Sequence, residues 1–179
     1  EGKITPVHVY SSGDQAELFI NGKSQGKRYK TPYTYRFRWD SAVYAPGIIK
    51  VVTYKDGKPW AIETRRTAGA PAALRLKVNH AHISIHNKTL AFITLDVMDS
   101  QGVPVPNADN LITFTLEGSG PQVAKIIATD NGNPADLHSF ASPERNAFSG
   151  KALCIIGPAG KQTGPVQIRA SSPELKDAV

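Results

Sequence analysis

The 179-residue sequence is poor in cysteine and methionine, with Cys154 and Met98 the single examples of each. One cysteine excludes a disulfide within the chain, and its apolar surroundings in KALCIIG favour a buried hydrophobe over a catalytic thiol. No run of roughly 18 apolar residues is present, so we expect no membrane-spanning segment. A basic-then-apolar leader is also missing. Because the sequence begins at Glu1, we expect a processed chain or a piece of a longer protein.

Helical periodicity is scarce too, whereas alternation with a period of two recurs along the chain. The segment YTYRFRW (33–39) would place its aromatic residues on one face of a strand. Asn21-Gly22 and Asp56-Gly57 are typical of type I′ hairpin turns, and Pro59 suits an edge strand or a strand start. Residues 3–66 therefore predict about six short strands.

Small residues in TAGAPAA (67–73) indicate a joint between two domains, which we predict at 1–68 and 69–179. Strand-like segments follow the joint at intervals of about ten residues, separated by glycine and proline turns, as in β-sandwiches. The predicted fold is all-β, with two immunoglobulin-like or fibronectin-like β-sandwich domains in tandem. These later segments are LRLKV (74–78), HISI (82–85), LAFITLDVMD (90–99), LITFTLEG (111–118), QVAKIIAT (122–129), KALCIIG (151–157) and GPVQIRASS (164–172).

The net charge of +6 lies entirely in residues 1–68, which hold 12 lysines and arginines against 6 acidic residues, while residues 69–179 hold 9 of each. The basic run KSQGKRYK (23–30) contains Tyr29, and basic patches with aromatic rings are used by nucleic-acid-binding proteins. On a hairpin arm, however, such cations also protect an exposed sheet edge. We therefore expect no nucleic-acid partner.

The run DNGNPADLHSF (130–140) concentrates the residue types of acid–base and metal sites. Glycoside hydrolysis needs two carboxyl groups roughly 5–9.5 Å apart in a walled cleft, and Asp130, Asp136 and Glu144 share this loop. A small sandwich offers little wall, and the run also matches turns capped by their own side chains. We interpret it as a structural or domain-contact loop, with a sugar or calcium contact as the alternative. Its candidate residues are Asp130, Asn131, Asn133, Asp136, His138 and Arg145.

Two further patterns suggest ligands weakly. His80 and His82 in HAHISIH would share one face of a strand and could supply two ligands of a zinc site. The isoleucines lie on the opposite face, however, which indicates that the histidine face is exposed to solvent. Trp39, Trp60 and Tyr29 are either a platform for stacking sugars or, in so small a domain, part of the core. We therefore predict neither a metal nor a cofactor.

Several motifs resemble, in their residues, order and spacing, the C-terminal region of bacterial glycoside hydrolase family 2 enzymes, chiefly β-galactosidases. The first half carries VYSSGDQAELFINGKSQGKR and YRFRWDSAVYAPGIIKVVTYKDGKPWAIETRRTAG. The second half carries DSQGVPVPNADNLITFTLEGSG, DNGNPADLHSFASPERNAFSGKALCII and GPVQIRASS, and resembles an immunoglobulin-like domain of the invasin/intimin type. The loop residues that match the family are Asp130, Asn131, Gly132, Asn133, Pro134, Phe140, Arg145, Phe148 and Gly150.

The resemblance implies that the catalytic glutamates lie on an upstream (β/α)₈ barrel, so no catalytic residue can be carried over to this chain. It implies a non-catalytic accessory region that packs on the barrel, shapes the mouth of the cleft or mediates oligomer contacts. We expect a parent enzyme that hydrolyses O-glycosyl bonds, in the periplasm or outside the cell. The alternatives are a carbohydrate-binding module and, from the fold alone, a surface adhesion module.

Overall fold

The computed structural model describes residues 1–84, 86, 89–118, 120–160 and 162–179. They form two compact units, Glu1–Thr67 (unit 1) and Ala68–Val179 (unit 2). Thirteen strands and a single four-residue helix account for their regular structure, so the all-β prediction is confirmed. None of the described helices has the length and apolar character needed to cross a membrane.

Unit 1 contains the six strands that the sequence predicts. Four of them form an antiparallel sheet in the order β3-β2-β5-β6, and the remaining two form the separate ribbon β1-β4. Their bounds are β1 Val7–Val9, β2 Gln15–Ile20, β3 Lys23–Tyr29, β4 Phe37–Trp39, β5 Ile48–Lys55 and β6 Lys58–Arg66.

Both predicted hairpin turns of unit 1 are present. Asn21 and Gly22 have φ of 49° and 81°, and Asp56 and Gly57 have φ of 50° and 74°. Two successive positive φ angles are the requirement of a type I′ turn, which matches the twist of the flanking strands. Pro59 is the second residue of the edge strand β6, where the prediction placed it.

The core of unit 1 lies between the ribbon and the sheet. Phe37 and Trp39 of β4 pack with Ala16 and Leu18 of β2 and with Val51 of β5. All nine residues of β6 are exposed, and this strand therefore remains an uncovered sheet edge.

The prediction of one strand over residues 33–39 is wrong in its first half. Thr31 and Thr34 close a tight turn with Pro32 and Tyr33 at its centre, and the strand begins only at Phe37. The proline fixes its own φ and favours the turn, so the alternating pattern is interrupted there. Tyr33 and Tyr35 are consequently exposed, while Phe37 and Trp39 are buried.

Unit 2 is a sandwich of a four-stranded sheet, in the order β10-β12-β8-β7, and a three-stranded sheet, in the order β11-β9-β13. Its core joins Leu95 and Val97 of the larger sheet to Ile112 and Phe114 of the smaller one. The bounds are β7 Pro71–Val78, β8 Ala91–Asp99, β9 Leu111–Glu117, α1 Gly120–Val123, β10 Ala124–Asp130, β11 Glu144–Asn146, β12 Lys151–Pro158 and β13 Gln167–Ser171.

Cys154 lies on β12 and is fully buried in this core, which confirms its interpretation as a small hydrophobe. Burial raises the pKa of its thiol to about 12. Because the thiolate is the reactive form, the folded protein keeps this cysteine inert.

Two details of unit 2 differ from the prediction. Residues 82–84 belong to no strand, so His80 and His82 do not share a strand face, and Ile85 lies outside the described residues. No strand was predicted between Thr129 and Lys151, but Glu144–Asn146 form β11, which pairs with β9.

Candidate functional site

The sequence singled out residues 130–140, which lie largely in the connection between β10 and β11. We call the segment from Asp130, the last residue of β10, to Asn146, the last residue of β11, the Asp130 loop. Its first turns are held by side chains that bond to the backbone just ahead of them. Asp130 Oδ1 accepts hydrogen bonds from the amides of Asn131 and Gly132, at 2.7 and 3.1 Å. Asn133 repeats the device through its Oδ1, which accepts from the amide of Ala135 at 3.0 Å. These oxygens therefore stabilise turns, as such residues commonly do.

Arg145 holds the rest of the Asp130 loop from the inside. It projects from β11, and only 1% of its side chain is exposed. Its Nε donates to Thr129 Oγ1 at 3.3 Å, and its Nη2 donates to the carbonyls of Thr129 and Ser139 at 3.0 and 2.8 Å. Its Nη1 donates to the carbonyl of His138 at 3.2 Å and to Asp136 Oδ2 at 3.0 Å. A buried cation is tolerated when it is paired and hydrogen-bonded in this way.

Asp136 is the anionic partner of Arg145. Its Oδ1 accepts from the backbone amide of His138 at 2.9 Å and lies 2.9 Å from Nδ1 of the same residue. Its Oδ2 also accepts from Asn131 Nδ2, at 2.8 Å. The backbone bond from His138 and the bonds from Arg145 and the His138 ring hold the pKa of Asp136 well below its usual range.

This arrangement does not provide the acid of a glycosidase pair. A general acid needs a raised pKa, whereas the pKa of Asp136 is lowered. Asp130 is occupied by two backbone amides, and Glu144 lies on β11 with Oε1 3.5 Å from Thr113 Oγ1. The side chains of Asp130, Asn131 and Asp136 accept or donate hydrogen bonds within the loop itself.

The structure separates the three aromatic residues that the sequence grouped as a sugar platform. Trp39 is only 2% exposed and donates from Nε1 to the carbonyl of Gly26 at 3.0 Å, so it belongs to the core. Trp60 is 53% exposed, and the Nζ of Lys55 lies 4.9 Å from its ring centre. Tyr29, on the edge strand β3, is 63% exposed. Only Trp60 and Tyr29 remain accessible to a ligand.

His80 and His82 are exposed and line a cavity of about 1170 Å³ at one end of unit 2. Most of its lining is apolar, with Ile83 and Ile93 among the contributors. Within the described part of the chain, no three histidine, cysteine, aspartate or glutamate side chains come together as metal ligands would.

Sequence reasoning missed a surface of unit 1 on which aromatic and cationic side chains meet. The rings of Tyr10 and Tyr35 stack with their centres 6.4 Å apart, and the guanidinium of Arg36 lies 5.5 Å from the centre of Tyr35. The predicted strand over 33–39 concealed this surface, because it assigned Tyr35 to the same face as the buried Trp39. The turn signal at Pro32 could have revealed the break.

The fold defines a class, tandem β-sandwich domains, and the polar loop of unit 2 is held by hydrogen bonds among its own residues. Residues 74–179 match the family model described as glycoside hydrolase family 2 C-terminal domain 5, and residues 2–61 match a domain of unknown function. The chain therefore belongs to the glycoside hydrolase family 2 C-terminal domain 5 family.

Similar proteins are much longer than this chain. It is 38% identical over 170 residues to the β-galactosidase BoGH2A of Bacteroides ovatus, covering 95% of this chain and 19% of that protein. It is 25% identical over 178 residues to a β-glucuronidase of Formosa agariphila, covering 98% of this chain and 17% of that protein. The chain thus spans about a fifth of the length of these curated relatives.

A solved structure of a family 2 member from Bacteroides cellulosilyticus superposes with a TM-score of 0.89 at 34% identity, over 99% of this chain and 24% of that one. A β-glycosidase from Bacteroides vulgatus superposes with a TM-score of 0.87 at 29% identity, over 99% and 22%. The likeness therefore extends over both units.

Proposed function

We propose that the chain is a non-catalytic C-terminal accessory region of a family 2 glycoside hydrolase, the parent enzyme. The observation that carries this proposal is its family membership combined with its match to only 15–19% of the length of three curated relatives. We propose that the parent resembles a β-galactosidase and hydrolyses O-glycosyl bonds on an upstream barrel. Its expected location in the periplasm or outside the cell stays a prediction from the resemblance.

Two exposed apolar features support a role in contacting the rest of the parent. The first is strand β6, whose nine residues are all exposed and include Trp60 and Ile62. A long uncovered edge strand promotes aggregation unless another element covers it. A neighbouring domain of the parent would supply that cover.

The second feature lies on the Asp130 loop. Leu137 is 95% exposed and Phe140 is also exposed, although the loop beneath them is held firmly by Arg145 and Asp136. A rigid loop that displays a leucine presents an apolar contact at little entropic cost. We propose that the Asp130 loop holds its shape and also presents these side chains to the catalytic domain.

Enzymatic assay of the isolated chain tests the non-catalytic part of the proposal. We expect the purified chain to release no product from an aryl β-galactoside, with BoGH2A as the positive control. Turnover that disappears on Asp130→Ala substitution would contradict it.

Substitution in the parent tests the contact. Leu137→Ser and Ile62→Asp should weaken association between the chain and the separately produced remainder of the parent. Thr5→Asp, at an exposed residue of unit 1 outside β6, is the matched control for charge. Unchanged association in both variants would exclude these two surfaces as the contact.

Carbohydrate binding is a second candidate function, because Trp60 and Tyr29 are 53% and 63% exposed. Exposed, amphipathic aromatic rings are suited to stacking on sugar rings. Loss of binding to a neutral galactan on Trp60→Ala or Tyr29→Ala would establish it.

A further inference from the structure

A cluster of exposed tyrosines beside an arginine lies on unit 1, on the outer side of the ribbon β1-β4. In the ribbon, Val9 pairs with Phe37 and both side chains face the core. The next residues outward, Tyr10 and Arg36, therefore follow as neighbours on the opposite face. Arg36 Nη1 lies 3.5 Å from the Tyr10 hydroxyl oxygen, consistent with that register. We call Tyr10, Tyr35 and Arg36 the tyrosine–arginine face; Tyr33 lies on the adjoining turn, two residues before Tyr35 in the sequence.

The turn that carries Tyr33 is built to display it. Tyr33 is fully exposed and has a φ of 70°, a left-handed conformation that non-glycine residues seldom adopt. The amide of Thr34 donates to the carbonyl of Thr31 at 3.0 Å, and the amide of Thr31 donates to Thr34 Oγ1 at 2.8 Å. The surrounding hydrogen bonds thus hold Tyr33 in a disfavoured backbone conformation, although its side chain has no role in the core. Such conformations are concentrated at binding sites.

The charge of Arg36 is available to a ligand. No carboxylate of the described residues lies within 4 Å of its guanidinium, whereas the neighbouring Arg38 is paired with Asp40 at 2.9 Å. The guanidinium instead rests beside the Tyr35 ring and the Tyr10 hydroxyl. Because unit 1 also carries the whole net charge of +6, its field favours an anionic ligand.

We propose that the tyrosine–arginine face binds an acidic saccharide that contains uronic acid residues. Sugar rings would stack on the exposed tyrosines, and a uronate carboxylate would accept hydrogen bonds from Arg36. The tyrosines are set among polar residues such as Thr31 and Thr34, without the contiguous apolar centre of a protein interface. The proposal is independent of the contact made by β6, so either can fail without the other.

Binding measurements on the chain itself test this proposal. Isothermal titration with an oligogalacturonate and with a neutral β-1,4-galactan oligosaccharide separates the contribution of the carboxylate–Arg36 hydrogen bonds from that of stacking on the tyrosines. Arg36→Gln should weaken binding of the oligogalacturonate at least about tenfold, because a charge-assisted hydrogen bond is lost, and should change binding of the galactan little. Tyr35→Ala should weaken binding of both saccharides. Added salt should weaken only the acidic one.

Matched variants distinguish this site from the alternatives. Arg65→Gln removes an exposed arginine from β6 and should leave oligogalacturonate binding unchanged. Tyr29→Ala and Trp60→Ala test the separate platform and should also have no effect. An equal loss of oligogalacturonate affinity in Arg65→Gln and Arg36→Gln would show that binding depends only on net charge, and would overturn the proposal. Absence of binding by the folded wild-type chain would overturn it too, as expected if this face contacts a protein instead.

Discussion

Arg145 in unit 2 and Arg36 in unit 1 carry the same guanidinium group in opposite surroundings. Arg145 is buried, faces Asp136 and has five hydrogen bonds to its own unit. Arg36 lies beside two exposed tyrosine rings with no carboxylate of the described residues within 4 Å. Residue type alone therefore does not identify a binding residue. An interaction site is recognised instead by polar or charged groups that the fold leaves accessible to a ligand.

Substitution of the two tryptophans of unit 1, one buried and one exposed, should give the largest difference in stability. Trp39→Ala should destabilise unit 1 by about 3–5 kcal/mol, because it removes the largest ring of a small core. Trp60→Ala should change stability by less than about 1 kcal/mol, because the ring is half exposed. Urea unfolding followed by circular dichroism measures both. Similar losses for the two variants would mean that β6 is buried in solution.

Substitution of the arginines is the next test. Arg145→Ala should destabilise unit 2 by about 3 kcal/mol, because it leaves buried acceptors and Asp136 without their partner. Arg36→Ala should cost less than about 0.5 kcal/mol. Cys154 is the only thiol and is buried in unit 2, so its rate of labelling by a thiol reagent reports the opening of that unit. We expect labelling roughly 100-fold faster in Arg145→Ala and unchanged in Arg36→Ala. Unchanged labelling in Arg145→Ala would show that its contacts do not stabilise the unit.

Acid should affect unit 2 through Asp136. Its pKa is lower in the folded state than the usual value of about 3.9 in unfolded chains. Its contribution to stability is therefore complete above about pH 4 and is lost as the pH falls below that value. The melting temperature of unit 2 should fall as the pH decreases from about 4 towards 2, and less steeply in Asp136→Asn.

Part of this slope should remain in Asp136→Asn because of Asp96. Burial acts to raise the pKa of Asp96, but hydrogen bonds from Arg75 and Lys151 outweigh it and lower the pKa. An identical slope in wild type and Asp136→Asn would contradict the assignment of Asp136 as the charged partner of Arg145.

The smallest effect is expected at the start of the Asp130 loop. Asp130→Ala removes the acceptor of two backbone amides and should cost about 1 kcal/mol in unit 2. Asp130→Asn keeps an acceptor oxygen and should retain most of that stability. Faster Cys154 labelling in Asp130→Ala alone would show that the acceptor oxygen stabilises the loop. Equally increased rates in Asp130→Ala and Asp130→Asn would show instead that the carboxylate charge is required.

The sequence predicted the strands and turns better than the surfaces. Alternation and the Asn21-Gly22 and Asp56-Gly57 pairs are local signals, and the structure follows them. The burial of Arg145 depends on acceptors up to 16 residues away, so no local pattern could have predicted it. The tyrosine–arginine face was missed for the same reason, since Tyr10 and Arg36 meet only when β1 pairs with β4. Ligand preference depends on such pairings and needs the folded chain.

Amide hydrogen exchange tests most directly whether the Asp130 loop is architectural. The account predicts slow exchange for the amides of Gly132, Ala135 and His138, because each donates to a side-chain acceptor within the loop. Protection should be lost in Arg145→Ala while the strands of unit 2 remain protected. Exchange of these amides in the wild-type chain at the rate of an unstructured peptide would contradict the account, because the loop would then be open rather than held by its own side chains.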